Sequence, residues 1–292
     1  MNRRFASAAW FLLGYTVLVI LWGGFVRATG SGAGCGSHWP LCNGELIPHS
    51  PRVETIIELV HRLTSGLLGL LVLGVVVAAF RIYPRGHTVR KSAIWTLFFI
   101  VTESLLGAGL VTFEWVAAND SVERVYVMAF HLVNTFLLLA AVTLTAWLAS
   151  GERKLLLRGP GVVRLTLALA GVLLVGSSGA VTALGDTLLL TQGLSPDESP
   201  VLARLLATRL YHPSAAIVVA LFVAWVAWRK KPYGRPLVIM LTAQLALGAV
   251  NVYLKAPVWM QLAHLAVSDA IWVLLVLLAA TALTRQPVAG SR

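Results

Sequence analysis

The chain has 292 residues, of which 58% are hydrophobic and only 12% are charged. This composition excludes a soluble protein with one large core and is typical of an integral membrane protein with long apolar runs. The net charge of +11 does not indicate binding of nucleic acid, because the lysines and arginines stand between the apolar runs, as expected of cytoplasmic loops.

The apolar runs predict an all-α protein with eight transmembrane helices, each close to the ~20 residues that cross a bilayer. The polar stretch Asn2-Arg3-Arg4 before the first run also resembles the start of a signal peptide. That run is long, however, and seven more follow it, which favours an uncleaved first helix. The predicted helices cover about residues 7–27, 55–80, 93–115, 124–149, 163–184, 206–228, 236–255 and 259–284.

Sixteen of the 23 lysines and arginines fall on one side of this predicted arrangement. The positive-inside rule therefore predicts a multi-pass plasma-membrane protein with both termini in the cytoplasm. The loop over residues 29–53 and the loop from Gly185 to about Leu205 are then expected to face outward. The sixteen basic residues are Arg3, Arg4, Arg81, Arg85, Arg90, Lys91, Arg153, Lys154, Arg158, Arg164, Arg229, Lys230, Lys231, Arg235, Arg285 and Arg292.

The only two cysteines, Cys35 and Cys42, lie in the first outward loop. Their Cys-x6-Cys spacing matches neither a zinc ribbon nor a covalent c-type haem attachment site. A disulfide can persist on the outer side of a membrane. The pair is interpreted either as a structural staple or as a redox-active pair.

Glu58 and His61 stand early in the second apolar run. At a separation of three residues their side chains lie on one helix face, about 60° apart. A carboxylate and an imidazole inside a membrane helix are costly and indicate function. The simpler interpretation is a Glu–His hydrogen bond that packs two helices.

The two halves of the chain resemble each other, and each half carries two membrane histidines. The segments around His61 and His212 correspond, as do those around His131 and His264, and Gly23-Gly24-Phe25-Val26 corresponds to Ser178-Gly179-Ala180-Val181. The repeat predicts two four-helix bundles, residues 1–155 and 156–292, related by a pseudo-twofold axis along the membrane normal. All four histidines are expected about five to seven residues inside the outer ends of the even-numbered helices.

Haem iron held by two axial imidazoles between the helices of a bundle is one use for such pairs. Copper, zinc and a proton relay are the alternatives, although two histidines per half are too few for a usual zinc site. Small residues either make room for a macrocycle or let helices pack closely. These glycines are Gly66, Gly69, Gly107, Gly109, Gly179 and Gly248.

The halves differ beside their histidines. The correspondence of His61 with His212 places Glu58 opposite Arg209. A carboxylate suits chemistry at the first site, and an arginine suits a haem propionate at the second. Arg27 and Arg62 either meet propionates as well or extend to the interface. Glu103, which matches Gln244, is expected to bridge two helices or to serve a proton path.

With these motifs the sequence resembles the haem A synthase family of bacteria and mitochondria. The resemblance covers nearly the whole chain and rests on the stretch from Gly24 to Gly32, on Trp39-Pro40-Leu41-Cys42-Asn43-Gly44 and on Glu58-x-x-His61-Arg62. It implies an oxidoreductase that converts the C8 methyl group of haem O into a formyl group by successive hydroxylations, which gives haem A for terminal oxidases.

The resemblance also implies roles for individual residues. Glu58, His61 and His131 belong with the substrate haem, His212 and His264 ligate a b-type haem, and Cys35 and Cys42 form a disulfide. Some relatives carry a second cysteine pair before the sixth helix, which this chain lacks. A haem O synthase and an unidentified electron-transfer protein are the possible partners within the bilayer.

Three other functions compete with this interpretation. A haem O synthase would need Asp-rich motifs that bind magnesium and diphosphate, and the sequence has none. A bis-histidine haem b electron-transfer cytochrome needs the four histidines but neither Glu58 nor two unlike halves. A transporter built from two repeats would bind no haem.

Overall fold

The structure is a computed structural model that describes residues 2–151 and 160–284. These residues contain eight long helices, each long and apolar enough to cross a membrane. The all-α class and the eight spans predicted from the apolar runs are confirmed, and the chain is a multi-pass membrane protein. The helices are α1 (Arg3–Ala28), α2 (Val53–Ile82), α3 (Thr88–Thr112), α4 (Val122–Ala149), α5 (Pro160–Asp186), α6 (Pro200–Ala227), α7 (Gly234–Tyr253) and α8 (Val258–Ala282).

Most helices begin earlier than their apolar runs predict, and capping side chains are the reason. Asn2, His87, Ser121 and Ser199 each accept a hydrogen bond from a backbone N–H in the first turn of the helix that follows. Such caps satisfy donors that have no partner inside the helix, so a polar first turn can precede the apolar run. The largest correction is in α6, which begins at Pro200 instead of residue 206.

The loop between α5 and α6 is also shorter than predicted. A π-helical turn, Thr187–Thr191, directly continues α5, and α6 begins at Pro200. The connection therefore covers only residues 192–199. The predicted loop from Gly185 to about Leu205 included helical residues because Asp186 and Thr187 interrupt the apolar run.

Helix packing divides the eight helices into two groups of four. In the first group α1 contacts α2 and α4, and α3 contacts α2 and α4. In the second group α5 contacts α6 and α8, and α7 contacts α6 and α8. The groups meet where α4 packs on α5 and α8 and where α1 packs on α8. The predicted pseudo-twofold axis remains a prediction, and the predicted boundary between residues 155 and 156 lies outside the described residues.

Contacts at the centre of the molecule join α4 to α8. The indole N–H of Trp272 donates a hydrogen bond of 2.6 Å to the carbonyl oxygen of Phe136, and the two rings stack with centroids 5.3 Å apart. Both side chains are almost fully buried. The two groups of helices therefore share one hydrophobic core, in which α8 is the most buried helix.

Arg27, near the end of α1, joins both groups at one end of the helices. Its guanidinium donates hydrogen bonds to the carbonyl oxygen of Ala183 at 2.8 Å and to the side-chain oxygen of Gln261 at 2.9 Å. The end of α1 therefore lies beside the end of α5 and the start of α8. We call this the histidine end, because the four histidines lie in its half of the helices.

The predicted orientation rests partly on residues that cannot be placed. Arg153, Lys154, Arg158, Arg285 and Arg292 lie outside the described residues. Cytoplasmic termini and an outward-facing histidine end therefore stay predictions.

Candidate functional site

The first histidine pair lies between α2 and α4. His61 and His131 are near enough to interact electrostatically. In both rings Nδ1 is buried and has no hydrogen-bond partner. No described residue hydrogen-bonds Nε2 of either ring, so Nε2 is the nitrogen left to bind a ligand.

The second pair, His212 on α6 and His264 on α8, repeats this arrangement. The two side chains also interact electrostatically. Nδ1 of His212 lies 2.9 Å from the hydroxyl of Ser178, whereas Nε2 of His264 lies 3.0 Å from the amide nitrogen of Gln244. The second pair therefore has neutral hydrogen-bonding partners.

A glycine on the neighbouring helix faces each of the four rings. A Cβ atom built on Gly23 would stand 3.0 Å from Cε1 of His61, and one on Gly179 would stand 2.9 Å from Cε1 of His212. Gly107 and Gly248 face His131 and His264 in the same way, at 3.9 and 3.3 Å. Each ring thus packs on a helix backbone that has no side chain at that point.

These contacts correct the predicted correspondence of α1 with α5 by one residue. Gly23, and not Gly24, takes the place of Gly179, because Gly24 instead faces Leu265 of α8. Gly66 and Gly69 were predicted either to make room for a macrocycle or to let helices pack closely, and the structure bears on the second use. A Cβ on either glycine would meet nothing within 4 Å, so close helix packing does not explain them.

The histidines lie deeper in their helices than predicted. His61, His131 and His212 are eight, nine and twelve residues after the first residues of α2, α4 and α6. The expected distance from the start of the helix was five to seven residues. Only His264, which is six residues after the first residue of α8, agrees with it. The difference arises because α2, α4 and α6 each begin before their apolar runs.

Glu58 is buried, with only 3% of its surface exposed, and it does not hydrogen-bond His61. Its Oε2 accepts a hydrogen bond of 2.8 Å from the backbone N–H of Cys35. Its Oε1 accepts two from the guanidinium of Arg62, at 3.0 and 2.5 Å. The expected Glu–His bond is therefore replaced by bonds that join Glu58 to the cysteine loop.

The cysteine loop itself is closed by the Cys35–Cys42 disulfide. Arg62 donates hydrogen bonds of 2.6 Å to the carbonyl oxygens of His38 and Leu41 and so fixes the loop to α2. A Cβ on Gly34 would stand 2.4 Å from the carbonyl oxygen of Glu54, so this position of the loop accepts only glycine. Arg62 is thus used within the protein and does not extend to the interface.

Arg209 forms an ion pair that the sequence did not predict. Its guanidinium donates to Oδ1 of Asp186 at 2.8 and 2.5 Å, and 40% of its side-chain surface is exposed. Asp186 also interacts electrostatically with Arg27. A lone carboxylate at the end of an apolar run was the available signal for Asp186.

Glu103 bridges α3 and α4, as expected. It accepts a hydrogen bond of 2.7 Å from the amide of Asn134 and a second from the hydroxyl of Thr135. Its Oε1 also lies 3.7 Å from Nδ1 of His131. A groove of about 490 Å³ borders this cluster between α3 and α4 and is lined by Thr102, Leu105, Leu106, Phe130, Val133, Asn134 and Leu137.

Asp269 on α8 is a buried carboxyl group that sequence reasoning missed. The side chain is fully buried, and neither oxygen has a hydrogen-bond partner. The signal was present, since a lone aspartate in an apolar membrane helix indicates function by default.

The arrangement suits two imidazole-ligated groups better than a bare metal ion. Among the described residues no three His, Cys, Asp or Glu side chains converge in a way that could hold a metal ion. Two imidazoles per half are the number of protein ligands that a six-coordinate haem iron takes, because the macrocycle supplies the others.

Comparison with known proteins identifies the family. Residues 6–276 match the family model COX15-CtaA, described as cytochrome oxidase assembly protein. The chain belongs to this family. The match includes both histidine pairs, Glu58 and both cysteines, so the resemblance inferred from the motifs is confirmed.

Two kinds of relative bear on the activity of this cytochrome oxidase assembly family member. A protein from Thermus thermophilus, named protoheme IX farnesyltransferase, is 51% identical over 301 aligned residues, which cover 97% of this chain and 49% of that protein. Haem A synthases from Halalkalibacterium halodurans and Bacillus cereus are 40% and 39% identical over 138 and 128 residues. These alignments cover 47% and 44% of this chain and 44% and 39% of the two synthases. The chain thus spans about half the length, or less, of these curated relatives.

Proposed function

We propose that this protein is a haem A synthase, an oxidoreductase that converts the C8 methyl group of haem O into the formyl group of haem A. The observation that carries the proposal is the pair of half-buried imidazoles in each group of helices, each ring packed on a glycine. Family membership and the similarity to haem A synthases support it.

The residues present fit a haem in each half. In the first half the buried Nδ1 atoms leave Nε2 of His61 and His131 for an iron. In the second half His212 and His264 would hold a b-type haem, which supplies one-electron transfer when bound. Gln244 must release Nε2 of His264 for that nitrogen to bind iron, and a rotation of the amide is enough.

We assign the substrate to residues 1–155 and the b-type haem to residues 156–292. The reason is the distribution of carboxylates, because Glu58 and Glu103 lie beside the first pair while a glutamine and an arginine take their places beside the second. Conversion of a methyl to a formyl group releases protons and electrons. Carboxylates can accept the protons and stabilise developing positive charge, which neutral amides cannot do equally well.

Glu58 is proposed to act on the reacting methyl group. Burial and two kinds of donor, the N–H of Cys35 and the guanidinium of Arg62, hold its carboxylate in one orientation. Such fixed groups need no reorganisation when charge develops in a transition state. Arg209 is proposed to bind a propionate of the b-type haem after exchanging its bond to Asp186.

The Thermus relative suggests where the substrate comes from. Its name describes farnesyl transfer to protohaem, and about half of its length lies outside the match. This chain has no Asp-rich motif for such a transfer. We therefore propose that a haem O synthase supplies the substrate and that both enzymes act in the plasma membrane, with the histidine end facing outward and both termini in the cytoplasm.

A bis-histidine electron-transfer cytochrome is the second candidate. The bonding of Glu58 favours it, because both carboxylate oxygens already serve to fix the cysteine loop. In that case Glu58 is structural, and the first pair holds a haem that is never modified.

Chromatography of extracted haems separates the two candidates. The chain is expressed with a haem O synthase in a bacterium that makes no haem A, and haems are extracted from the purified protein. We expect haem A and its alcohol intermediate beside haem B and haem O. Haem B and haem O alone, in protein that retains both haems, would establish the electron carrier instead. The variant His131→Ala is the control and should make no haem A.

A further inference from the structure

A ring nitrogen of His131 lies close to a carboxylate but does not form a hydrogen bond with it. Nδ1 of His131 is buried and has no partner, and the nearest carboxylate oxygen, Oε1 of Glu103, lies 3.7 Å away. This distance is too long for a hydrogen bond. A small rotation of the imidazole ring would close it, because Glu103 already lies on the Nδ1 side of the ring.

Glu103 is held firmly in this position. Asn134 and Thr135, both on α4, donate hydrogen bonds to its two oxygens. The side-chain oxygen of Asn134 in turn accepts a hydrogen bond of 2.7 Å from the hydroxyl of Thr102. The carboxylate is therefore fixed by the fold and does not depend on His131 for its orientation.

An imidazole that binds a metal through Nε2 carries its proton on Nδ1 and usually donates it to a carboxylate, a carbonyl or a water molecule. A carboxylate acceptor fixes the ring and makes the imidazole a stronger electron donor to the metal. Glu103 is the group that can take this role for His131.

The second half has a different group at the corresponding place. Glu103 precedes Gly107 by four residues, and Gln244 precedes Gly248 by four residues. Each of these glycines faces the ring of its histidine. Gln244 is a neutral amide in contact with His264, and His212 contacts the neutral hydroxyl of Ser178. Among the residues that the structure describes, only those of the first half place a carboxylate beside a proposed axial ligand.

We propose that Glu103 is a positioning residue that accepts a hydrogen bond from Nδ1 of His131 and makes it the most electron-donating of the four proposed ligands. The inference rests on the proposed function, because it requires haem iron on His131. A stronger donor stabilises the oxidised iron. The haem of the first half therefore has a lower midpoint potential than it would have with a neutral partner on His131.

Redox titration of the purified, haem-loaded protein tests this role, with each haem followed by its optical and electron paramagnetic resonance spectra. In Glu103→Gln we expect a higher midpoint potential for the first-half haem, an unchanged second-half haem and a roughly 10–100-fold weaker retention of the first haem.

Thr135→Val is the matched control, because it removes one hydrogen bond of the α3–α4 bridge and keeps the carboxylate. It should leave both potentials unchanged. If Glu103→Gln leaves the potential unchanged, or if Thr135→Val shifts it equally, Glu103 is only a bridge. If Glu103→Gln does not fold, Glu103→Asp replaces it, because the shorter carboxylate stands farther from Nδ1 of His131. An unchanged potential of the first-half haem in that variant overturns the proposal.

A separate variant distinguishes failure of the inference about Glu103 from failure of the proposed function. His131→Ala should lose the low-spin signal of the first-half haem. Retention of that signal would overturn the ligand assignment, and with it both proposals. Loss of that signal, together with an unchanged potential in Glu103→Gln, would overturn the inference alone.

Discussion

Helices α1–α4 and α5–α8 use the same framework with different polar neighbours. In both groups the second and fourth helices carry a histidine, and the first and third helices present a glycine to it. In the first group the carboxylates Glu58 and Glu103 lie near these histidines. In the second group Arg209 and Gln244 take the corresponding positions. Under the proposed function, the shared framework binds a haem in each group, and the different polar neighbours distinguish the reacting haem from the fixed one.

The disulfide loop extends this contrast. In the first group the loop after α1 is closed by Cys35–Cys42 and fixed to α2 through Glu58 and Arg62. In the second group the segment after α5 is a π-helical turn, and Arg209 is held by Asp186 instead. Pro213 directly follows His212 and has no N–H to donate to the carbonyl oxygen of Arg209.

Removal of an axial ligand in the second group should have the largest effect. His212→Ala or His264→Ala is expected to abolish the low-spin signal of the b-type haem, because one imidazole cannot maintain a bis-histidine iron. Optical spectra of the purified variants measure this. The matched variants His61→Ala and His131→Ala should retain that signal. An unchanged signal in both second-group variants would exclude this pair as ligands.

Neutralising Glu58 should affect turnover without loss of the second haem. Glu58→Gln keeps the shape of the side chain and removes its charge, so formation of haem A should fall by about 10²–10⁴-fold. Haem O or a partly oxidised intermediate should accumulate, as measured by chromatography of extracted haems.

The exposed Glu54, one turn earlier on α2, provides the control. Glu54→Gln should leave the yield of haem A unchanged. A wild-type yield from Glu58→Gln would mean that Glu58 only fixes the cysteine loop.

Loss of the disulfide should change stability more than turnover. Replacing Cys35 and Cys42 by serine should lower the free energy of unfolding by about 2–3 kcal/mol, because closure of a short loop restricts the unfolded chain. Turnover per folded molecule should change less if the pair is a structural staple. Denaturation of the purified variant and mass measurement after thiol labelling test this. Two free thiols in wild-type protein isolated without reductant would contradict the disulfide.

The glycines that face the rings should have the smallest effects. A methyl group at Gly179 or Gly23 would press on the ring of His212 or His61, so Gly179→Ala and Gly23→Ala should each cost about 1–3 kcal/mol. Each variant should weaken haem retention only in its own half, as measured by haem content. Gly74→Ala on α2 is the control, because its methyl group would meet nothing within 4 Å. If either variant lost haem equally from both halves, the assignment of His61 to the first-half haem and of His212 to the second-half haem would be contradicted.

The spans were predictable, whereas their ends were not. Apolar runs of bilayer length specify a membrane helix almost regardless of tertiary contacts. The ends depend on caps such as Ser199 and His87, whose side chains satisfy backbone donors outside the apolar run. An apolar run contains no information on those bonds, and α6 was therefore predicted to begin six residues too late.

The histidines of the candidate site were visible in the sequence, whereas the polar contacts around them were not. Lone histidines in apolar helices are visible in any sequence, and their repeated spacing paired them as His61 with His131 and His212 with His264. The bonds of Glu58 to Cys35 and of Arg209 to Asp186 were missed. Each joins residues 23 positions apart, on separate segments whose approach no helical spacing predicts.

The sequence by itself determined the membrane class, the eight helices, the four histidines and the family, because apolar length and residue type are local properties. Only the tertiary structure decided that each ring packs on a glycine, that Arg27 reaches Ala183 over 156 positions of the chain, and that Glu103 lies beside His131. These contacts depend on how helices rotate and pack against one another. In a bilayer that packing is decided by small residues and a few buried polar groups, whose partners the apolar pattern does not specify.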